Sequence, residues 1–278
     1  MHTGRMTAII KKDISSVTSN AQMWLPMIVV PLIFMIVIPL AVTLVGGNIK
    51  IEDLSNAKMV EKFLLQSPFP ELQEELAAFP ELMQKAVYMF ANYLFAPMFL
   101  IVPVMVATII SGGGFAGEKE KKTLESLLYT PVTEKELFFS KTAAAFLPAL
   151  VVSAAGFIIY GVILNVFGYP LFGRLFFPSL SWLPFMLLMV PGISLLAIGV
   201  TVIVSAKVKG FQEAQQISVL IILPLFLLIV TQAVGVFFLS AAVCAVLGVL
   251  LLIADYFIIS RAAKGFDREK LLRNYAGK

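Results

Sequence analysis

Histidine and cysteine are almost absent from this chain of 278 residues, which has one of each, His2 and Cys244. With a single cysteine there is no intrachain disulfide, and with so few ligands there is no zinc or redox motif. The lone histidine is terminal, which removes histidine-based acid–base chemistry. Charge is scarce too: Asp, Glu, Lys and Arg make up 14% of the residues, against about 25% in soluble proteins. No Walker A motif occurs. Gly112 and Gly117 have its glycine spacing, but Glu118 stands where the motif needs lysine, and the segment follows an apolar helix, not a strand. No calcium-loop pattern occurs either. The chain has plenty of apolar surface, with 59% hydrophobic residues. A water-soluble core cannot hide that much, so the chain reads as an all-α integral membrane protein. A net charge of +4 is a topology signal, not a nucleic-acid footprint.

Apolar runs map the spans. The first four lie at about Met23–Val45, Tyr88–Ser111, Leu137–Val166 and Trp182–Ser205. The last uncharged run, Ala214–Ala254, has 41 residues. As a helix it would extend roughly 60 Å, about twice a bilayer core. It therefore holds two helices, with a turn expected at Thr231-Gln232-Ala233-Val234-Gly235, for six spans in all. Prolines 26, 31, 39, 97 and 103 fall within spans, where neighbouring groups satisfy the carbonyls they free.

An even span count puts both termini and the loops after spans two and four on one side. That side carries sixteen Lys and Arg residues and the other five. The positive-inside rule then makes the termini cytoplasmic and the chain a multi-pass protein of the plasma membrane. A removable leader is not expected: the first run is too long and no small-x-small site follows it.

The chain reads as one transmembrane domain with four appended segments. Residues 1–22 read as a cytoplasmic interfacial helix, with Met6, Ile9, Ile10, Ile14 and Val17 on one stripe that Asp13 interrupts. Residues 46–87 read as an acidic extracytoplasmic segment, with Leu72, Leu76 and Phe79 at helical spacing; its acidity reads as an ordinary external loop depleted of Lys and Arg by the topology bias, the alternative being a cation vestibule. Residues 112–136 form a cytoplasmic loop and 261–278 a cytoplasmic tail. In the loop, glycines 112–117 let the chain leave the helix. Leu124, Leu127 and Leu128 then make an apolar stripe beside a surface of Glu118, Lys119, Lys121, Lys122 and Glu125. After a turn at Pro131, Thr133 and Glu136 have the capping-box spacing that opens the third span.

The stretch from Gly117 through Glu118-Lys119-Glu120-Lys121-Lys122-Thr123-Leu124-Glu125-Ser126-Leu127-Leu128-Tyr129-Thr130-Pro131-Val132, on through Glu136-Leu137 to Lys141, resembles the signature of ABC-transporter permeases of the NatB-like, ABC-2-type class. The tail Gly265-Phe266-Asp267-Arg268-Glu269-Lys270-Leu271-Leu272 is similar to that group's C-terminus. Ser140 departs from the family's usual glycine, and the external segment is shorter than in sodium-efflux members. The resemblance implies an exporter permease, not itself an enzyme. It has no cofactor of its own, since ATP and Mg belong to a partner ABC ATPase subunit. It pairs with a second permease subunit as a homodimer in membrane lipid. The loop is then a coupling helix, with Glu118, Lys119, Thr123, Glu125, Leu127, Leu128 and Pro131 forming or orienting the ATPase contact.

Within the spans, Ala145, Ala149, Ser153 and Gly156, and likewise Ala241, Cys244, Ala245 and Gly248, are spaced for close helix contact, within one subunit or between two. Asn92, Asn165, Thr201, Thr231 and Gln232 read as end-of-span or interhelical hydrogen-bonding groups, and Trp24 and Trp182 as interfacial anchors. Asp255 is the one acidic residue near the end of the last run; it is a possible in-membrane polar site, or a partner of water or Arg261. Two other functions are weighed against the permease. A non-transporting scaffold or immunity factor fits the same spans. An intramembrane enzyme would need paired carboxylates, an H-E-x-x-H helix or a Ser/His pair in the spans, and none occurs.

Overall fold

A computed structural model of the protein describes residues 3–48, 69–121, 123 and 133–265. Among these, every regular element is helical and none is a strand. The helices are α1 (Thr3–Thr18), α2 (Ala21–Asn48), α3 (Pro70–Ala77), α4 (Leu82–Glu120), α5 (Glu134–Phe172), α6 (Trp182–Lys207), α7 (Phe211–Ala233) and α8 (Ala241–Gly265). Six of them, α2 and α4 to α8, are long and apolar enough to cross a membrane.

Local chemistry sets the boundaries. The Asn20 side chain accepts from Gln22 N at 3.0 Å and opens α2. Thr133 and Glu136 form the expected capping box, both bonds at 3.2 Å. Gly173 ends α5 in the left-handed region at φ 64°, which glycine adopts without a Cβ penalty. The long apolar run divides as expected, with α7 ending at Ala233 and Gly235 at φ 77°. The break is longer than the five expected residues, since α8 begins only at Ala241.

The hub of the bundle is α4. In its most apolar window 83% of residues are buried, against 17% in each of α2, α7 and α8. Helices α5, α6 and α7 pack around it, α1 and α2 lie against α5, and α8 lies against α6. Lipid is as apolar as leucine, so close packing holds such helices together. The small residues Ala145, Ala149, Ser153 and Gly156 are all buried inside the chain, with Gly156 against Met35 of α2. Their stripe therefore serves packing within the subunit. Gly248 does the same: a Cβ there would stand 2.5 Å from Leu188 Cβ and 3.1 Å from Met189 N.

At the end away from the charged loop, Leu72, Leu76 and Phe79 are buried as their spacing predicts. Glu75 accepts hydrogen bonds from Tyr88 Oη, at 2.9 Å, and Tyr93 Oη, so this carboxylate fastens α3 to α4. Asn92 Oδ1 accepts from Ser179 N at 2.8 Å, and Asn165 Oδ1 from Phe176 N and Phe177 N at 3.1 and 3.2 Å. These span asparagines thus clamp the α5–α6 loop. Trp182 corrects its reading as an interfacial anchor. It is 2% exposed, among Phe99, Phe157, Tyr160, Phe177 and Phe185, with centroids 5.0–5.8 Å away. Five aromatic neighbours outweigh the preference of an isolated indole for the membrane interface.

Candidate functional site

The root of the charged loop is where the bundle's helices are tied together. Glycines 112–117 do not release the chain from the helix, as the sequence reading expects. Gly113–Gly117 form a widened π turn, and α4 continues to Glu120. Neighbours contact these glycines closely, which holds the turn in place. Cβ atoms added at Gly112 and Gly113 would each lie 3.4 Å from a side chain, Phe211 and Met23 respectively.

Glu118 is 7% exposed and points inward, which corrects its assignment to the loop's charged surface. Its Oε2 accepts from Lys141 Nζ at 2.7 Å, and its Oε1 pairs with Lys12 Nζ. Lys141, 1% exposed on α5, also donates to Gly114 O at 2.8 Å and to Asp13 Oδ2 at 3.3 Å. Asp13 Oδ1 lies 3.6 Å from Lys12 Nζ. Two lysines and two carboxylates give a neutral cluster joining α1, α4 and α5, the arrangement that makes buried charge tenable. Gly114 leaves room for it: a Cβ there would stand 3.2 Å from Asp13 Oδ2. Burial is the largest influence on Asp13 and pushes its carboxyl above the ordinary range, with Glu118 acting in the same direction and Lys141 and Lys12 opposing. Asp13 interrupts the apolar stripe of α1 because Lys141 lies opposite it, between the buried Ile9 and Val17.

The next two residues grip two further helices. Lys119 Nζ donates to Val208 O at 2.7 Å and Ala206 O at 3.3 Å, capping the C-terminal end of α6, where a cation complements the helix dipole. Glu120 Oε2 accepts from Phe211 N at 3.0 Å, satisfying an orphan donor at the start of α7. Consecutive side chains therefore bind α1 and α5, then α6, then α7. Gln215 Nε2 adds a 3.2 Å bond from α7 to Thr108 of α4.

A family model described as ABC-2 family transporter protein matches residues 7–260. The chain belongs to that family. No curated protein and no solved structure matches it. As an ABC-2 permease the chain is a multi-pass plasma-membrane subunit of an ABC transporter, a transport component whose family works with an ABC ATPase.

Of the residues assigned to ATPase coupling in this permease, Glu118 is buried and Lys119, half-buried, reaches the end of α6. Thr123 is exposed and its hydroxyl reaches Glu118 O at 3.4 Å. Glu125, Leu127, Leu128 and Pro131 lie outside the described residues, as does the tail motif from Phe266 onward. Lys12, Asp13, Glu120 and Lys141 were missed as members of the site. The available signal was a lysine and an aspartate placed singly in apolar patterns, each the other's complement.

Asp255 lies elsewhere in the permease. It is 1% exposed on α8, and neither carboxylate oxygen has a hydrogen-bond partner. The expectation that it reaches water or pairs with Arg261 is corrected: Arg261 is exposed, whereas position 255 turns toward α6.

Proposed function

We propose that this permease is the membrane half of an ATP-driven exporter of the NatB-like class, working as a homodimer with separate ATPase subunits that dock on the loop of residues 112–136. ATP and Mg are then held by the partner, and both termini face the cytoplasm. The observation that supports this most is the triple grip of Glu118, Lys119 and Glu120 on α5, α6 and α7. A docked ATPase that displaced the loop would pull on three spans and on α1 at once, because α4 is the packed hub. A rigid tied element transmits such a displacement where a loose loop absorbs it. The outward direction of transport rests on the loop's resemblance to exporter permeases.

Affinity-tagged full-length protein, extracted from its native membranes, is expected to bring down an ATPase carrying a Walker A motif. Glu125→Lys with Leu127→Glu, at the loop positions beyond the grip, is expected to abolish that copurification while leaving the melting temperature unchanged. Tagged wild type that retrieves no such ATPase sinks the reading.

A further inference from the structure

We propose that Asp255 is a proton-binding site, carried as the neutral acid inside the α6–α8 seam.

The seam is unusually close. Cβ atoms added at Gly192 and Gly199 of α6 would stand 2.9 Å from Leu251 Cβ and 2.6 Å from Ile258 Cγ2 of α8. With Gly248 against Leu188 and Met189, the two helices run parallel with contacts at 188/248, 192/251 and 199/258. Positions 248, 251, 255 and 258 share one face of α8, with alternating steps of three and four. Asp255 lies between the Leu251 and Ile258 contacts, which buries its carboxyl against α6.

Among the described residues, no group in this setting can neutralise a carboxylate. The elements packed most extensively against α8 among the described residues are Trp182–Pro184, Phe185–Met189 and Val190–Lys207, and their one titratable side chain is Lys207. Lys207 lies eight residues beyond Gly199, which meets Ile258, so it stands about 16 Å along the axis from the level of Asp255. On α8 itself, Tyr256 and Arg261 are exposed, Cys244 is three turns away, and Lys264 lies nine residues beyond Asp255, about 13 Å along the axis. Both carboxyl oxygens remain without a partner. An ionised, unpaired carboxylate in an apolar wall is strongly disfavoured, so the group either neutralises or binds a cation. A metal cation needs several ligands, and no group of three His, Cys, Asp or Glu side chains that could hold one exists among the described residues. A proton needs one carboxyl only.

The seam as packed here therefore holds one proton. Opening it to water lets the proton leave and the ionised carboxylate become solvated. Proton binding at Asp255 requires no docked ATPase.

The test uses full-length protein in lipid vesicles at neutral pH, with two readouts. In the infrared difference spectrum of wild type minus Asp255→Asn, the protonated-carboxyl carbonyl band is expected, shifting in heavy water. Ionised-carboxylate bands in that difference would overturn the proposal. Wild type treated with dicyclohexylcarbodiimide, which reacts with protonated carboxyls in apolar surroundings, is expected to carry the adduct on the peptide containing Asp255. Recovery of that peptide unmodified would also overturn it, and this arm needs no variant to fold.

Discussion

Lys141 occupies a position at the start of a membrane span that two carboxylates and the Gly114 carbonyl make tenable. Removing one member of such a set leaves its partners buried and unpaired, a loss of about 3–5 kcal/mol. Lys141→Met is therefore expected to lower detergent-phase thermal stability by that order, and Asp13→Asn with Glu118→Gln in the same background to restore much of it. A Lys141→Met loss under about 1 kcal/mol, the scale of a surface pair, would show that the cluster is hydrated. Asp13 gives a pH signature of known sign. Its carboxyl is raised by burial, so in mildly acidic solution the folded state binds more protons than the unfolded one. The stabilising contribution is fully present below the ordinary carboxylate range and is lost as pH rises through the raised value. Melting temperature in that window is expected to fall with pH more steeply in wild type than in Asp13→Asn. Parallel curves would remove Asp13 as the cause.

At the scale of elements, the six spans, the capped start of α5 and the break before α8 were all legible, because hydropathy, a capping box and glycine act locally. The course of α4 past its glycines was not. Whether Gly112–Gly117 turns outward or widens into a π turn depends on Phe211, Met23 and Asp13, which sequence does not place beside it. Trp182 was misread for the same reason, since its aromatic neighbours come from α4, α5 and the α5–α6 loop. The glycines that bring helices together make a sharp prediction. Gly248→Ala sets a Cβ against the Leu188 and Met189 backbone at 3.0–3.1 Å, which can only be relieved by moving α8, at about 1–3 kcal/mol. Gly47→Ala meets nothing within 4 Å and is expected to be neutral or stabilising by up to about 1 kcal/mol. Thermal melts of the two variants check the contrast, and equal shifts would refute the close-packed seam.

Across the whole molecule, the proposed coupling requires a loop at one end to act on spans that mostly face outward. α2, α7 and α8 bury little of themselves, so each can shift against lipid or a second copy without dismantling a core. α4 cannot, since its side chains are enclosed by α5, α6 and α7. Movement entering at Glu118–Glu120 must then pass either through the hub as a unit or through the side-chain ties to α6 and α7. The two routes separate experimentally. Lys119→Ala with Glu120→Ala removes the ties but leaves the Asp13–Glu118–Lys141 cluster and the loop tip intact. These bonds are largely exposed, so the loss in stability is expected to be small, about 1 kcal/mol each. If the ties carry the stroke, the variant still copurifies with its ATPase and hydrolyses ATP in reconstituted vesicles, while substrate moved per ATP falls roughly tenfold, equivalent to about 1.4 kcal/mol of lost coupling. If the hub alone carries it, transport per ATP stays at the wild-type level. Loss of ATPase binding in the same variant would instead place Lys119 and Glu120 in the docking surface itself.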